Sequence, residues 1–254
     1  MRPRSTATSL LLLTCALLTP SGIAQTLPPA ACPRLSVEQV VNDLVRKNQD
    51  RAHGLPAYRS TRTYRAEYRG FPGSRSAEMV VDVKYEPPGT KEFAVRSETG
   101  SKLIIDRVFK KLLESEKEAF EAENQKRTAL NEENYAFTLL GCEIAPAGPM
   151  YVLAVEPRIK SKFLYRGKIW VDATDFAVAR IAGEPAKNPS FWIRQTEIEQ
   201  IYGKVNEFWL PARNHSVTTV RLGGHADFTI EYRDYQLTTS TRSASGNERA
   251  GGPR

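Results

Sequence analysis

Between about residues 151 and 235, apolar and polar positions alternate through one long segment after another, with only short breaks between them. The last segment is the clearest: Ala226, Phe228, Ile230 and Tyr232 share one parity, while Asp227, Thr229, Glu231 and Arg233 share the other. Successive side chains on a strand point to opposite faces, so each segment buries one face and wets the other. A run of such strands joined by short turns constrains the chain to an antiparallel sheet large enough to curl around something.

The same alternation occurs upstream. Tyr64, Ala66 and Tyr68 alternate with Thr63, Arg65, Glu67 and Arg69, and Met79, Val81, Val83 and Tyr85 alternate with Glu78, Asp82 and Lys84. Pro87-Pro88-Gly89 then makes a turn into a strand predicted over 92–98. Further strands are predicted over 135–142, 151–157, 163–172, 176–182, 191–202, 214–222 and 226–235. Asp172-Ala173-Thr174-Asp175 reads as a hairpin turn whose aspartates bond local backbone.

Two helices are expected among these strands. Ser36 and Gln39 form a capping box ahead of Val37, Val40, Val41, Leu44 and Val45. Ile105, Val108, Phe109, Leu112 and Leu113 recur at i, i+3, i+4, i+7 and i+8, the apolar face of a helix set between two groups of strands. Its continuation over 114–123 is mostly charged and is expected to project into solvent. The fold class is therefore α+β, mostly β: an incomplete antiparallel barrel of about 10–11 strands with helices covering the open side.

Arg2 and Arg4, the apolar stretch 10–18 and Gly22-Ile23-Ala24, with small residues at the cleavage positions, read as a cleavable export signal over 1–24. The apolar stretch is about half the ~20 residues that span a bilayer. Neither Leu12-Leu13-Thr14-Cys15 nor Pro29-Ala30-Ala31-Cys32 makes a lipid-attachment motif. The expected organisation is a loose segment at 25–33, one domain over 34–238 and a disordered Ser/Gly/Arg-rich tail at 239–254. The protein is expected to be soluble, exported to a bacterial periplasm and monomeric.

The formal net charge is +7, and Arg2 and Arg4 supply two of those charges. The basic residues are spread over many strands, with no recognition helix or stacking platform, so nucleic acid is not an expected partner. An anionic membrane surface or lipid head group fits better. With Cys15 in the export signal, Cys32 and Cys142 remain. They form either one disulfide, closing a loop of roughly 110 residues, or a pair of free thiols.

No nucleophile elbow, phosphate loop or dinucleotide fingerprint is present. His53, His215 and His225 lack metal-ligand spacing, and His215, Asp172 and Glu197 are thin candidates for an enzyme site. No catalytic residue, metal or cofactor is expected. Trp170, Phe191, Trp192, Phe208 and Trp209 fit either a packed core or a cavity wall, which share one periodicity.

Gly167-Lys168-Ile169-Trp170-Val171-Asp172, a turn, and then Ala177-Val178-Ala179-Arg180-Ile181 resemble the central hairpin of the outer-membrane lipoprotein-sorting superfamily. That superfamily includes a periplasmic carrier, its outer-membrane receptor and an envelope-stress regulator. Phe208-Trp209-Leu210-Pro211 and the closing strand from Phe228 to Tyr235 are similar to its next landmarks. The resemblance covers 151–235 by motif and the N-terminal half by layout.

It implies an apolar cavity between sheet and helix that holds lipoprotein acyl chains or other lipid. The cavity would be lined by Tyr64, Tyr68, Val81, Val83, Ile105, Phe109, Leu112, Ile169, Val171, Phe228 and Ile230. The implied partners are inner- and outer-membrane envelope proteins. In the family's carrier an inward arginine helps hold the lid shut; Arg62 shares the parity of Tyr64, but no local motif transfers that role to it. The function expected is a non-enzymatic periplasmic carrier, with a protein-binding sensor or scaffold on the same fold as the alternative.

Overall fold

The computed structural model describes residues 31–119, 126–161, 163–188, 193–221 and 223–238. The expected export signal, residues 25–30 of the loose segment, the tail, Phe120, Phe191 and Trp192 lie outside the described residues.

Helix α1 (Val37–Gly54) starts at Ser36, whose hydroxyl accepts from the Gln39 N–H while the Gln39 side chain accepts from the Ser36 N–H. This capping box satisfies two N–H groups that the first turn would otherwise leave open. Strands β1 (Tyr58–Gly70), β2 (Arg75–Glu86) and β3 (Thr90–Gly100) follow. A continuous helix over 102–119 (α2) comes next, with a wider π-turn at Ile105–Phe109 between Lys102–Ile104 and Lys110–Ala119. The remaining strands are β4 (Tyr135–Ala145), β5 (Gly148–Pro157), β6 (Tyr165–Asp172), β7 (Val178–Pro185), β8 (Ile193–Val205), β9 (Phe208–Val220) and β10 (Gly224–Leu237).

Among the described residues all ten strands form one antiparallel sheet, ordered β3-β2-β1-β10-β9-β8-β7-β6-β5-β4. The first and last strands of the chain pair with each other, and the sheet stays open between β3 and β4, where α2 is inserted. A row of facing residues crosses the sheet from Met79 through Tyr64, Ile230, Asn214, Gln200, Ile181, Ile169 and Leu153 to Leu139. Directly opposed residues share a face, so one inner wall runs through all these strands.

Two helices, not α2 alone, cover that wall. Under α1, Val40, Val41 and Leu44 pack with Tyr151, Leu153, Ile169 and Val171. Under α2, Ile104, Ile105, Phe109 and Leu113 pack with Tyr64, Met79, Val81, Val83 and Ile230. Among the described residues, strands β8 and β9 contribute nothing to the buried part of either core, and they lie between the two. Cys32 and Cys142 are joined by a disulfide that fastens the segment before α1 to β4.

Several boundaries move for physical reasons. β7 begins at Val178 rather than Phe176, because Phe176 takes a positive φ of 49° and its N–H donates to the Asp172 carbonyl, prolonging the turn. β9 begins at Phe208, so the Phe208–Pro211 motif lies within a strand. Pro211 is tolerated there because the β10 ladder reaches only to Arg213, and the β8 register shifts beside it. Gly167 and Gly183 face each other across β6 and β7; a Cβ on Gly183 would sit 2.0 Å from the Arg166 carbonyl oxygen. Only glycine permits that approach.

An apolar cleft beneath the inserted helix

The π-turn divides the apolar face of α2. A straight helix would send Ile105, Val108, Phe109, Leu112 and Leu113 to one stripe. Here Ile105, Phe109 and Leu113 are buried in the core, whereas Val108 and Leu112 are 39% and 37% exposed. Together with Leu103 and Ile104, these two roof a cleft of about 530 Å³. Its floor and walls come from Ala66, Glu67 and Tyr68 on β1, Ala226, Asp227 and Phe228 on β10, and Ile193, Thr196, Ile198, Asn214, Ser216, Thr218 and Val220 on β8 and β9. The volume is within the ~300–1,000 Å³ usual for small-molecule sites.

The expected cavity residues fall into three places. Tyr68, Leu112 and Phe228 line this cleft. Tyr64, Val81, Val83, Ile105, Phe109 and Ile230 belong to the packed core beneath α2. Ile169 and Val171 lie in the other core, beneath α1. The β8 and β9 residues of the floor were not legible as lining, because those strands carry polar residues on both parities and lack a strong apolar stripe. That weakness was itself a signal: two poorly patterned strands between well-patterned neighbours mark where, among the described residues, neither buried core reaches the sheet.

Beside the cleft lies a buried ionic cluster. The charged half of α2 does not simply project into solvent, because Glu116 turns into the sheet. Arg62 on β1, 2% exposed, donates from both terminal nitrogens to the Glu116 carboxylate at 2.5 and 3.1 Å. Lys91 on β3 adds a third donor at 2.7 Å. The Arg62 guanidinium also lies over the rings of Tyr232 and Phe93, 4.9 and 5.5 Å from their centroids.

Burial by itself would raise the Glu116 carboxyl, but the hydrogen bonds from Arg62 and the nearby Lys91 charge outweigh it and hold the group at about 2. Burial pushes the Arg62 guanidinium down, and Glu116 more than restores it, so Arg62 stays charged. The Tyr58 hydroxyl nearby is pushed up to about 12, chiefly by burial.

The thin enzyme candidates do not converge. Asp172 Oδ1 accepts from the N–H groups of Thr174 and Asp175 and serves the turn. The Asp175 carboxylate reaches instead to Lys204 and Trp209, at 2.5 and 2.8 Å. His215 and Glu197 have the opposite parity to the cleft-lining Asn214, Ser216, Thr196 and Ile198, and His215 pairs with Asp227 at 3.0 Å. Trp170 donates to Glu143 and stacks under Arg180; Trp170, Phe208 and Trp209 are not among the residues lining the cleft under α2. Among the described residues, no group of three or more His, Cys, Asp or Glu side chains could hold a metal, and no helix is long and apolar enough to cross a membrane.

A curved, unclosed antiparallel sheet with an inserted helix over an apolar cleft is the class of structure these elements define. The sequence matches no family model and no curated protein. Solved structures similar to it include an outer-membrane lipoprotein-sorting protein domain from Vibrio parahaemolyticus, at 12% identity and TM-score 0.39, covering 82% of this chain and 96% of that one. A LolA-superfamily protein from Nitrosomonas europaea is similar at 12% identity and TM-score 0.36, over 81% and 94% of the two chains. The MucA/MucB complex of Pseudomonas aeruginosa contains a chain similar at 10% identity and TM-score 0.26, over 80% and 94%.

Proposed function

We propose that this protein is a non-enzymatic binding or carrier protein of the bacterial envelope, which takes lipid-like apolar ligands, lipoprotein acyl chains among them, into the cleft beneath α2. The carrying observation is the cleft itself. Leu103, Val108 and Leu112 remain on a helix surface, 57%, 39% and 37% exposed, over a part of the inner wall whose β8 and β9 residues, among the described residues, belong to neither core. Burying one methylene contributes about 0.8 kcal/mol, so an acyl chain needs apolar area more than special chemistry. The reading of 1–24 as an export signal supports a periplasmic location, and a disulfide between Cys32 and Cys142 suits that oxidising compartment.

Native mass spectrometry after gentle extraction should show co-purified lipid, and the delipidated protein should bind oleate. A protein that arrives empty and binds neither oleate nor an apolar dye does not have this function. The second reading, a scaffold that binds a protein partner without lipid, draws on the open edge at β4, where Leu140 and Ile144 are 51% and 52% exposed. Pull-down of a partner by lipid-free protein, together with failure to bind oleate, would favour it.

A further inference from the structure

The inner wall of the sheet changes character at its centre. In the row from Met79 to Leu139, the only polar members are Asn214 and Gln200, and they sit side by side. The Asn214 side-chain amide donates to the Gln200 side-chain oxygen Oε1 at 2.7 Å. Two residues along, Ser216 lies between Phe228 and Ile198. At the next level Thr218 faces Thr196, with their hydroxyls 3.0 Å apart and Ala226 alongside. Asn214, Ser216, Thr218 and Thr196 all line the cleft. The result is a polar ladder on the β8 and β9 part of a mostly apolar cleft, which Glu67 and Asp227 also line.

We infer that the cleft accepts an amphiphile carrying a hydrogen-bonding oxygen, a hydroxyl or ester carbonyl, within its apolar body, and that this ladder reads that oxygen. The inference rests on the proposed lipid-binding function and narrows its ligand class. Each threonine hydroxyl offers one proton and two lone pairs, so the single Thr196–Thr218 bond leaves one proton and three lone pairs unspent. Asn214 likewise keeps an amide proton and its carbonyl after bonding Gln200.

In the empty cleft water can serve these groups. Plain hydrocarbon laid over them would remove that water and return nothing, which disfavours binding. A ligand oxygen at the same place restores the lost bonds. Cross-strand pairing alone does not require this chemistry, since valine at 196 and 218 would pair across the strands with high strand propensity and leave no polar atoms.

The test compares oleate with ricinoleate, which differs by one mid-chain hydroxyl, by calorimetry on the full chain. Wild type should bind ricinoleate about five- to tenfold more tightly, the worth of one net hydrogen bond. In T196V/T218V that preference should fall to within about twofold while oleate binds as well or better, and T196S/T218S should keep it. Should the valine pair impair folding, Asn214→Leu gives an independent reading at the other end of the ladder, with the same loss of preference expected. Equal wild-type affinities, or a preference that survives in the valine and leucine variants, overturns the ladder and leaves the cleft as a plain apolar site. If neither fatty acid binds, both this inference and the proposed function fail.

Discussion

Glu116 leaves the charged half of α2 to grip Arg62 through both terminal nitrogens, and so fastens the inserted helix to β1. Lys91 brings β3 into the same cluster, which ties the helix to the open edge of the sheet as well as to β1, third in the strand order. Paired and buried charges of this kind contribute little net stability over apolar replacements, but removing one partner strands the others. Glu116→Ala leaves the Arg62 charge without its carboxylate and should lower the unfolding free energy by about 3–5 kcal/mol in urea titrations. A loss below about 1 kcal/mol would show that water already compensates Arg62, as at an exposed pair.

The same cluster gives acid sensitivity a definite sign. Glu116 is lowered from 4.5 to about 2 in the folded protein, so the unfolded chain binds its proton first as pH falls. Its contribution is therefore fully present above about pH 4.5 and is lost as pH drops from there through about 2. Glu116→Gln should be less stable than wild type at pH 7 and show a shallower decline over that acid window. Parallel curves for the two proteins below pH 4.5 would mean that other carboxylates govern the acid transition.

The Cys32–Cys142 disulfide closes a separation of 110 residues and holds the entry to α1 against β4. In the chain-entropy account such a loop contributes about 4–5 kcal/mol. Reduction, or the Cys32→Ser/Cys142→Ser pair, should lower stability by close to that amount and loosen α1 before the strands under α2. Hydrogen exchange would show this as earlier loss of protection at Val40, Val41 and Leu44. Uniform loss across both cores would argue that the disulfide acts on the whole domain.

The inner wall was legible because strands such as β2 and β10 alternate cleanly, and the Val171, Phe228 and Ile230 parity faces inward as the pattern requires. The split of that wall into two cores was not legible. Leu153 and Met79 carry the same periodic signature, and only the three-dimensional row shows that different helices cover them. The dual use of α2 was hidden for a related reason. Regular spacing places Val108 and Leu112 with Phe109, and the π-turn that separates them leaves no mark in the residue pattern. Glu116 looked like one solvated charge among many because its partners Arg62 and Lys91 are 54 and 25 residues away.

This division of α2 can be tested by exchanging the consequences of two neighbouring substitutions. Phe109 is fully buried, with its ring 5.9 Å from Tyr64 and 6.0 Å from Phe228. Phe109→Ala should therefore cost about 3–5 kcal/mol of stability through the cavity it leaves. Leu112 faces the cleft and remains 37% exposed. Leu112→Trp should change stability by less than about 0.5 kcal/mol, as surface substitutions do. It should nonetheless fill the roof of the site and weaken oleate binding at least tenfold, a difference of about 1.4 kcal/mol. Stability measured by urea unfolding and affinity measured by calorimetry should thus move separately in the two variants. If Leu112→Trp destabilises the fold as strongly as Phe109→Ala, the two residues share one packed interior and no cleft lies beneath the helix.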